Sequence, residues 1–165
     1  MKKVIKVRLD PHSIADAITQ LQMYREDLER RVKLLVKSLT ERGAEITRVN
    51  IFEMDAVDTR ELLKSVSEYY GVVNGKQVGF IRVNAEYGAL VEFGTGIVGK
   101  QNSHDLAGNV SYKYDVNNHG DAGWWWPDDY GGIHWTKGMP SRPFMYEAAQ
   151  ALRDEFPAIV KEVFG

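Results

Sequence analysis

The sequence predicts an α+β fold in one domain, residues 1–165: a long N-terminal helix and a C-terminal helix packed on a small antiparallel sheet, with a long Trp- and Gly-rich loop at 96–138. Three observations predict it. Ile14, Leu21, Leu28 and Leu35 recur at every seventh residue, and Ile18, Val32 and Leu39 form a second apolar line beside them. That is the period of a helix with one buried face. Two runs rich in β-branched and aromatic residues, Val66–Val73 and Gln77–Val83, flank Asn74-Gly75, a strong hairpin signal. Met145, Ala149, Leu152, Phe156, Ile159 and Val163 then follow at alternating steps of four and three, which puts them on one helix face.

Val4–Leu9 alternates Ile5, Val7 and Leu9 against Lys6, Arg8 and Asp10, as a short strand or an extended arm does. Asp10-Pro11 opens the first helix, with Asp10 as N-cap and Pro11 in the first turn. Arg25 alone breaks the second apolar line, and Glu26–Arg30, Asp27–Arg31 and Glu29–Lys33 stand at i,i+4 on the exposed side. The heptad is too short to require a coiled coil, so packing on the protein's own sheet is the preferred reading. The helix is expected to end or be interrupted at Gly43.

Ala44–Met54 fits either a further helical turn or two (Ile46, Val49, Phe52) or a strand (Thr47, Val49, Ile51), and the helix is preferred. Asp58-Thr59-Arg60-Glu61 has the form of a capping box, Asp58 capping and Glu61 reaching back. In the hairpin, Tyr69, Tyr70, Phe80 and Ile81 suit a pleated surface. Asn84 is a candidate cap for a short helix through Phe93. Within 96–138, short strands are expected at Val110–Val116, Trp124–Trp126 and Ile133–Trp135. Ser141 is the expected cap of the last helix, Pro143 lies in its first turn, and Pro157 is expected to kink it near Arg153.

Composition narrows the function. A net charge of −2 gives no basic footprint, so sequence-specific nucleic-acid binding is not expected. There is no cysteine, which removes disulfides, thiolate metal sites and cysteine nucleophiles. No run approaches the roughly 20 apolar residues of a membrane span, and charges at Lys6, Arg8 and Asp10 interrupt the N-terminus, so neither a membrane partner nor a signal peptide is expected.

Two patterns imitate nucleotide sites. Gly94, Gly96 and Gly99 fit G-x-G-x-x-G, and Gly94–Lys100 fits the opening of a phosphate loop. Both need a helix N-terminus after the glycines, and Gln101–Asp105 has no apolar periodicity. Gln101 also stands where Ser or Thr would hold magnesium, so a glycine turn is preferred and no cofactor is expected. His104-Asp105, His119-Gly120-Asp121, Asp128-Asp129 and His134 have the residue types of a metal site but not the spacing of a preformed one. Ser141 with His134 and an acid is conceivable as a triad, although triads are defined by geometry. The alternative function is therefore a small enzyme or ligand binder using the glycine loop or the His104/His119/His134 cluster. The preferred reading assigns no catalytic, cofactor or metal residues. Trp124, Trp125, Trp126, Tyr130 and Trp135 have the composition of a protein contact.

Three segments, Ala56–Val66 (AVDTRELLKSV), Tyr87–Gly96 (YGALVEFGTG) and Met139–Leu152 (MPSRPFMYEAAQAL), resemble the neck proteins of long-tailed bacteriophages and prophages, the tail-completion or head–tail joining proteins. The resemblance spans most of the chain, and Val91–Thr95 and Pro143-Phe144 are its most specific elements. Arg60 departs from it, since the family has glycine after Asp-Thr. The resemblance implies an α+β fold, no catalysis, and assembly as a sixfold ring. Its partners would be the portal or connector, the tail-tube and the tail-terminator proteins. Its place would be the virion neck, after assembly in the bacterial host cytoplasm. The contact residues expected on this basis are the four tryptophans and Tyr130 together with Glu92, Phe93 and Arg142.

Overall fold

A heptad of this length must form one rod, and it does. The computed structural model describes residues 4–56, 60–115, 118–119, 122–128 and 130–165. Helix α1 spans Pro11–Glu53, 43 residues, or roughly 65 Å. Asp10 is extended, and its Oδ1 accepts the Ser13 N–H at 2.9 Å, so the expected cap is in place. The preceding residues form no strand; the Arg8 N–H donates to Ser13 Oγ at 2.8 Å and holds them as an arm. Of the expected ion pairs, Asp27–Arg31 forms at 2.8 Å, while Arg30 turns to Asp27 at 2.6 Å and Glu29 pairs with Arg25 at 2.8 Å.

Gly43 does not end the helix. It marks close approach: a Cβ there would lie 2.6 Å from Ile81 Cδ1 and 3.1 Å from Leu152 Cδ2. The ambiguous Ala44–Met54 stretch is helical through Glu53. Thr47 tolerates complete burial because its hydroxyl donates back to the Gly43 carbonyl at 2.8 Å.

Helix α2 is Glu61–Lys64. Asp58 lies outside the described residues. The N-cap is Arg60, whose φ of 63° is left-handed and whose side chain makes no cap bond. Strands β1 (Val66–Val73) and β2 (Lys76–Val83) form the expected hairpin, with Tyr69 opposite Phe80 and Glu68 opposite Ile81. Asn74 and Gly75 both have positive φ, 51° and 75°, as the tight turn requires. Arg48 bonds Glu68 Oε2 at 2.7 Å and the Val66 carbonyl at 3.0 Å, locking the sheet to α1. Asn84 does not cap a helix; its amide donates to Ser65 O and Ser67 Oγ, and α3 (Gly88–Phe93) starts later, after Tyr87.

Helix α4 (Gly96–Gln101) follows. The described part of Val110–Val116 is turn and irregular backbone, not strand; Val116 lies outside it. The second hairpin does form, as β3 (Trp124–Pro127) against β4 (Ile133–Thr136). The described residues thus carry two sheets of two strands each. Helix α5 (Phe144–Phe164) runs unbroken through Pro157 and antiparallel to α1. Asn50 Nδ2 donates to Phe144 O at 3.0 Å, Arg42 clasps Glu155 at 2.6 and 2.7 Å, and Arg31 donates to Val163 O at 2.9 Å.

Ala44, Ile51, Leu62, Val66, Val91 and Phe144 form the core, between the C-terminal half of α1, the first hairpin and the start of α5. The contacts that tie α1 to the sheet and to α5 run from Arg31 to Asn50. The expectation that the heptad packs on the protein's own sheet therefore fails for its first half. Ile14, Ile18, Leu21 and Leu28 are exposed, because α5, 21 residues long, cannot cover a helix of 43.

Candidate functional site

Glu92, near the end of α3, is the node that joins the family-like segments. It is buried, and its carboxylate accepts the backbone N–H groups of Met145 (2.9 Å) and Tyr146 (3.0 Å) and lies 3.2 Å from His104 Nε2. His104 Nδ1 accepts the Leu106 N–H at 2.9 Å, so in the neutral ring the proton sits on Nε2 and is donated to Glu92. Glu92, and not Ser141, caps α5; its charge also faces the positive end of that helix. Ser141 Oγ instead donates to the Glu92 carbonyl at 2.6 Å. The expected cap was wrong because the true one lies on another helix.

Phe93 stacks on Tyr112 at 4.7 Å and lies tilted against His104 at 4.6 Å. Arg142 donates through Nε to Met54 O at 3.0 Å and through its backbone N–H to Val91 O at 2.9 Å. Glu92, Phe93 and Arg142, expected at subunit contacts, each have partners within this chain. These bonds tie α3, α5 and the end of α1 together.

The glycine segment is a strap, not a cradle. Gly94 (φ 78°) and Gly96 (φ 62°) permit its bends. A helical turn, α4, begins inside the motif, where the sequence suggested only a flexible turn. Five of the amides that a phosphate would need are already used. Gly94 N–H donates to Leu90 O, Thr95 to Met139 O, Gly96 to Tyr114 O, Val98 to Lys137 O and Gly99 to Thr95 O, at 2.7–3.3 Å.

The histidines have separate partners. His104 is buried against Glu92, His119 stacks on Trp124 at 5.0 Å, and His134 Nε2 lies 2.7 Å from Asp128 Oδ2. No group of three or more His, Asp or Glu side chains suited to a metal occurs among the described residues; Asp121 and Asp129 lie outside them. A pocket of about 300 Å³ opens beside Ser103, Asp105, Ser141 and Glu147. Ser141 gives its proton to a backbone carbonyl and His134 pairs with Asp128, so the imagined triad is not assembled.

The second hairpin has two unlike faces. Trp124, Trp126, His134 and Thr136 share one, by their register. Trp124 stacks on His119 and packs near Gly96, and Trp126 tilts against His134 at 5.7 Å. Trp125, Pro127, Ile133 and Trp135 share the other. Trp125 is 64% exposed and Trp135 49%, their rings edge-on at 5.3 Å, and Ile133 is more open still. The turn between the strands is fixed by Asp128, whose Oδ1 accepts the N–H groups of Tyr130 (2.9 Å) and Gly132 (2.6 Å). His134 first, and these amides, hold the Asp128 carboxyl below the usual carboxylate range. Tyr130 stands fully in solvent at the tip.

The aromatic content of the Trp hairpin was legible in composition, but not its two-sidedness, which needs the register. The bare first half of α1 was missed. The signal was present: the apolar stripe of the first helix runs longer than the last helix can cover. No described helix is long and apolar enough to cross a membrane. Comparison with protein-family models, with curated proteins and with solved structures finds no match.

Proposed function

We propose that this chain is a structural subunit of the neck of a tailed phage or prophage, completing the tail or joining it to the head connector as a sixfold ring. The observation that carries the reading is the outer face of the second hairpin. Trp125, Pro127, Ile133 and Trp135 make a contiguous apolar surface, and among the described residues Trp125, Ile133 and Trp135 stay exposed on it. Exposed aromatic patches of this kind are protein contacts, and aromatic side chains are the residues that anchor them. A ring needs a heterologous contact that closes by rotation, one patch meeting a different surface of the next copy.

The family resemblance supports the reading in a second way. Its two most specific elements, Val91–Thr95 and Pro143-Phe144, are distant in sequence, and Glu92 of the first accepts the N–H groups of Met145 and Tyr146, which follow the second. The test is assembly: a Trp125→Ser/Trp135→Ser variant with unchanged helicity should fail to join heads to tails when it replaces the natural chain. Normal joined particles from that folded variant would refute the assignment of the contact.

A further inference from the structure

We propose that the first half of α1 is a self-association helix, pairing antiparallel with the same segment of a second copy about Leu21. Ile14, Leu21, Leu28 and Leu35, with Ile18, Val32 and Leu39, form one seam of 3.5-residue period along α1. Antiparallel α5, whose own stripe has the same period, lies along the second half of α1 and reaches its end opposite Arg31. Beyond that point no other described element lies along the seam: Ile14, Ile18, Leu21 and Leu28 are 43%, 51%, 56% and 42% exposed. What fits is a second helix with a free stripe of the same spacing. Met145 and Leu152 of the α5 stripe are already turned to α1, which leaves the α1 seam of another copy.

Charge agrees with that occupant. Tyr24 is exposed beside the seam. From Pro11 to Tyr24 the only formally charged side chain is Asp16, two residues from Ile14 and Ile18 and on the side away from the seam. Two such segments meet without like-charge repulsion.

Arg25 sets the direction. It interrupts the seam, and a parallel pair would place the two Arg25 side chains at the same level, face to face. An antiparallel pair centred on Leu21 sets Ile14 opposite Leu28 and Arg25 opposite small Ala17, with the Arg25 charge held by Glu29 at 2.8 Å. The pairing uses none of the outer residues of the Trp hairpin, so it stands or falls apart from the ring.

The test uses the full chain carrying Trp125→Ser/Trp135→Ser, so that the hairpin contributes no contact. Light scattering after size exclusion at tens of micromolar should give about twice the chain mass of 18.7 kDa. Leu21→Glu, at an exposed position, should return it to the monomer mass with unchanged helicity. The chain has no cysteine, so Leu21→Cys should form an interchain disulfide under oxidation, while Ile14→Cys should not link to itself. A monomer before the Leu21→Glu change, a dimer that survives it, or self-linking of Ile14→Cys would each overturn the proposal.

Discussion

Removing the Glu92 carboxylate should cost the fold about 3–5 kcal/mol. Glu92→Ala deletes three hydrogen bonds in a buried place: from Met145 N–H, Tyr146 N–H and His104 Nε2. The two amides belong to the first turn of α5 and have no helical acceptor. Loss of an N-cap by itself costs about 1 kcal/mol. Here the donors also lie under α3, and an unsatisfied buried donor costs about 1–3 kcal/mol. The imidazole N–H is left in the same position, since the His104 side chain is 1% exposed. Water entering from the adjacent pocket recovers part of this, which gives the lower end of the range. For a chain of 165 residues the loss corresponds to roughly 10 °C in Tm. Glu92→Gln should lose about half as much, because one oxygen remains as acceptor while the new NH₂ group faces donors. Urea unfolding followed by far-UV circular dichroism measures both. A loss below about 1 kcal/mol for Glu92→Ala would refute the claim that this carboxylate fastens α5.

Arg60→Gly should stabilise the chain by about 1 kcal/mol, because a side chain at left-handed φ is strained and glycine is not; Arg60→Ala should give no such gain, and equal values in urea would exclude the cause. Gly94→Ala should destabilise by about 3 kcal/mol or more, since φ 78°, ψ 173° suits glycine alone and the added Cβ would meet Ser141 N at 2.7 Å; a neutral effect on Tm would show that the strap is not so bent. The Asp128 carboxyl is held below its ordinary range in the fold, so its contribution is full above the usual carboxylate pKa of about 4 and is lost as pH falls through the lowered folded value. Acid titration of tryptophan fluorescence should show this step, and Asp128→Asn should remove it; an identical titration in the variant would contradict the assignment. ATP with magnesium, or zinc, should leave Tm unchanged, because the strap amides are engaged and the described histidines are apart. A ligand that binds the native state would raise it.

What was legible in the sequence was local. Asp10, Pro11 and a 3.5-residue stripe define the start of α1 by contacts within a few residues, and Asn74-Gly75 dictates its own turn. What failed was long-range. Gly43 looked like a stop because glycine ends many helices, but its role depends on Ile81 and Leu152, far away in the chain. Ser141 looked like a cap because capping is usually local, and the real cap comes from Glu92 on α3. The departure at Arg60 was visible as a residue, and only the backbone tells that it sits at positive φ. The Trp face needed the β3–β4 register, since alternation over four residues does not say which side faces outward. The free half of α1 follows from comparing the lengths of two stripes, which composition and periodicity do not do on their own.

The most direct test of the neck assignment is electron microscopy of a lysate from a phage or prophage that lacks this one chain. The account predicts DNA-filled heads and separate tails that accumulate unjoined, or tails of uncontrolled length. Intact, joined particles in normal numbers would contradict it.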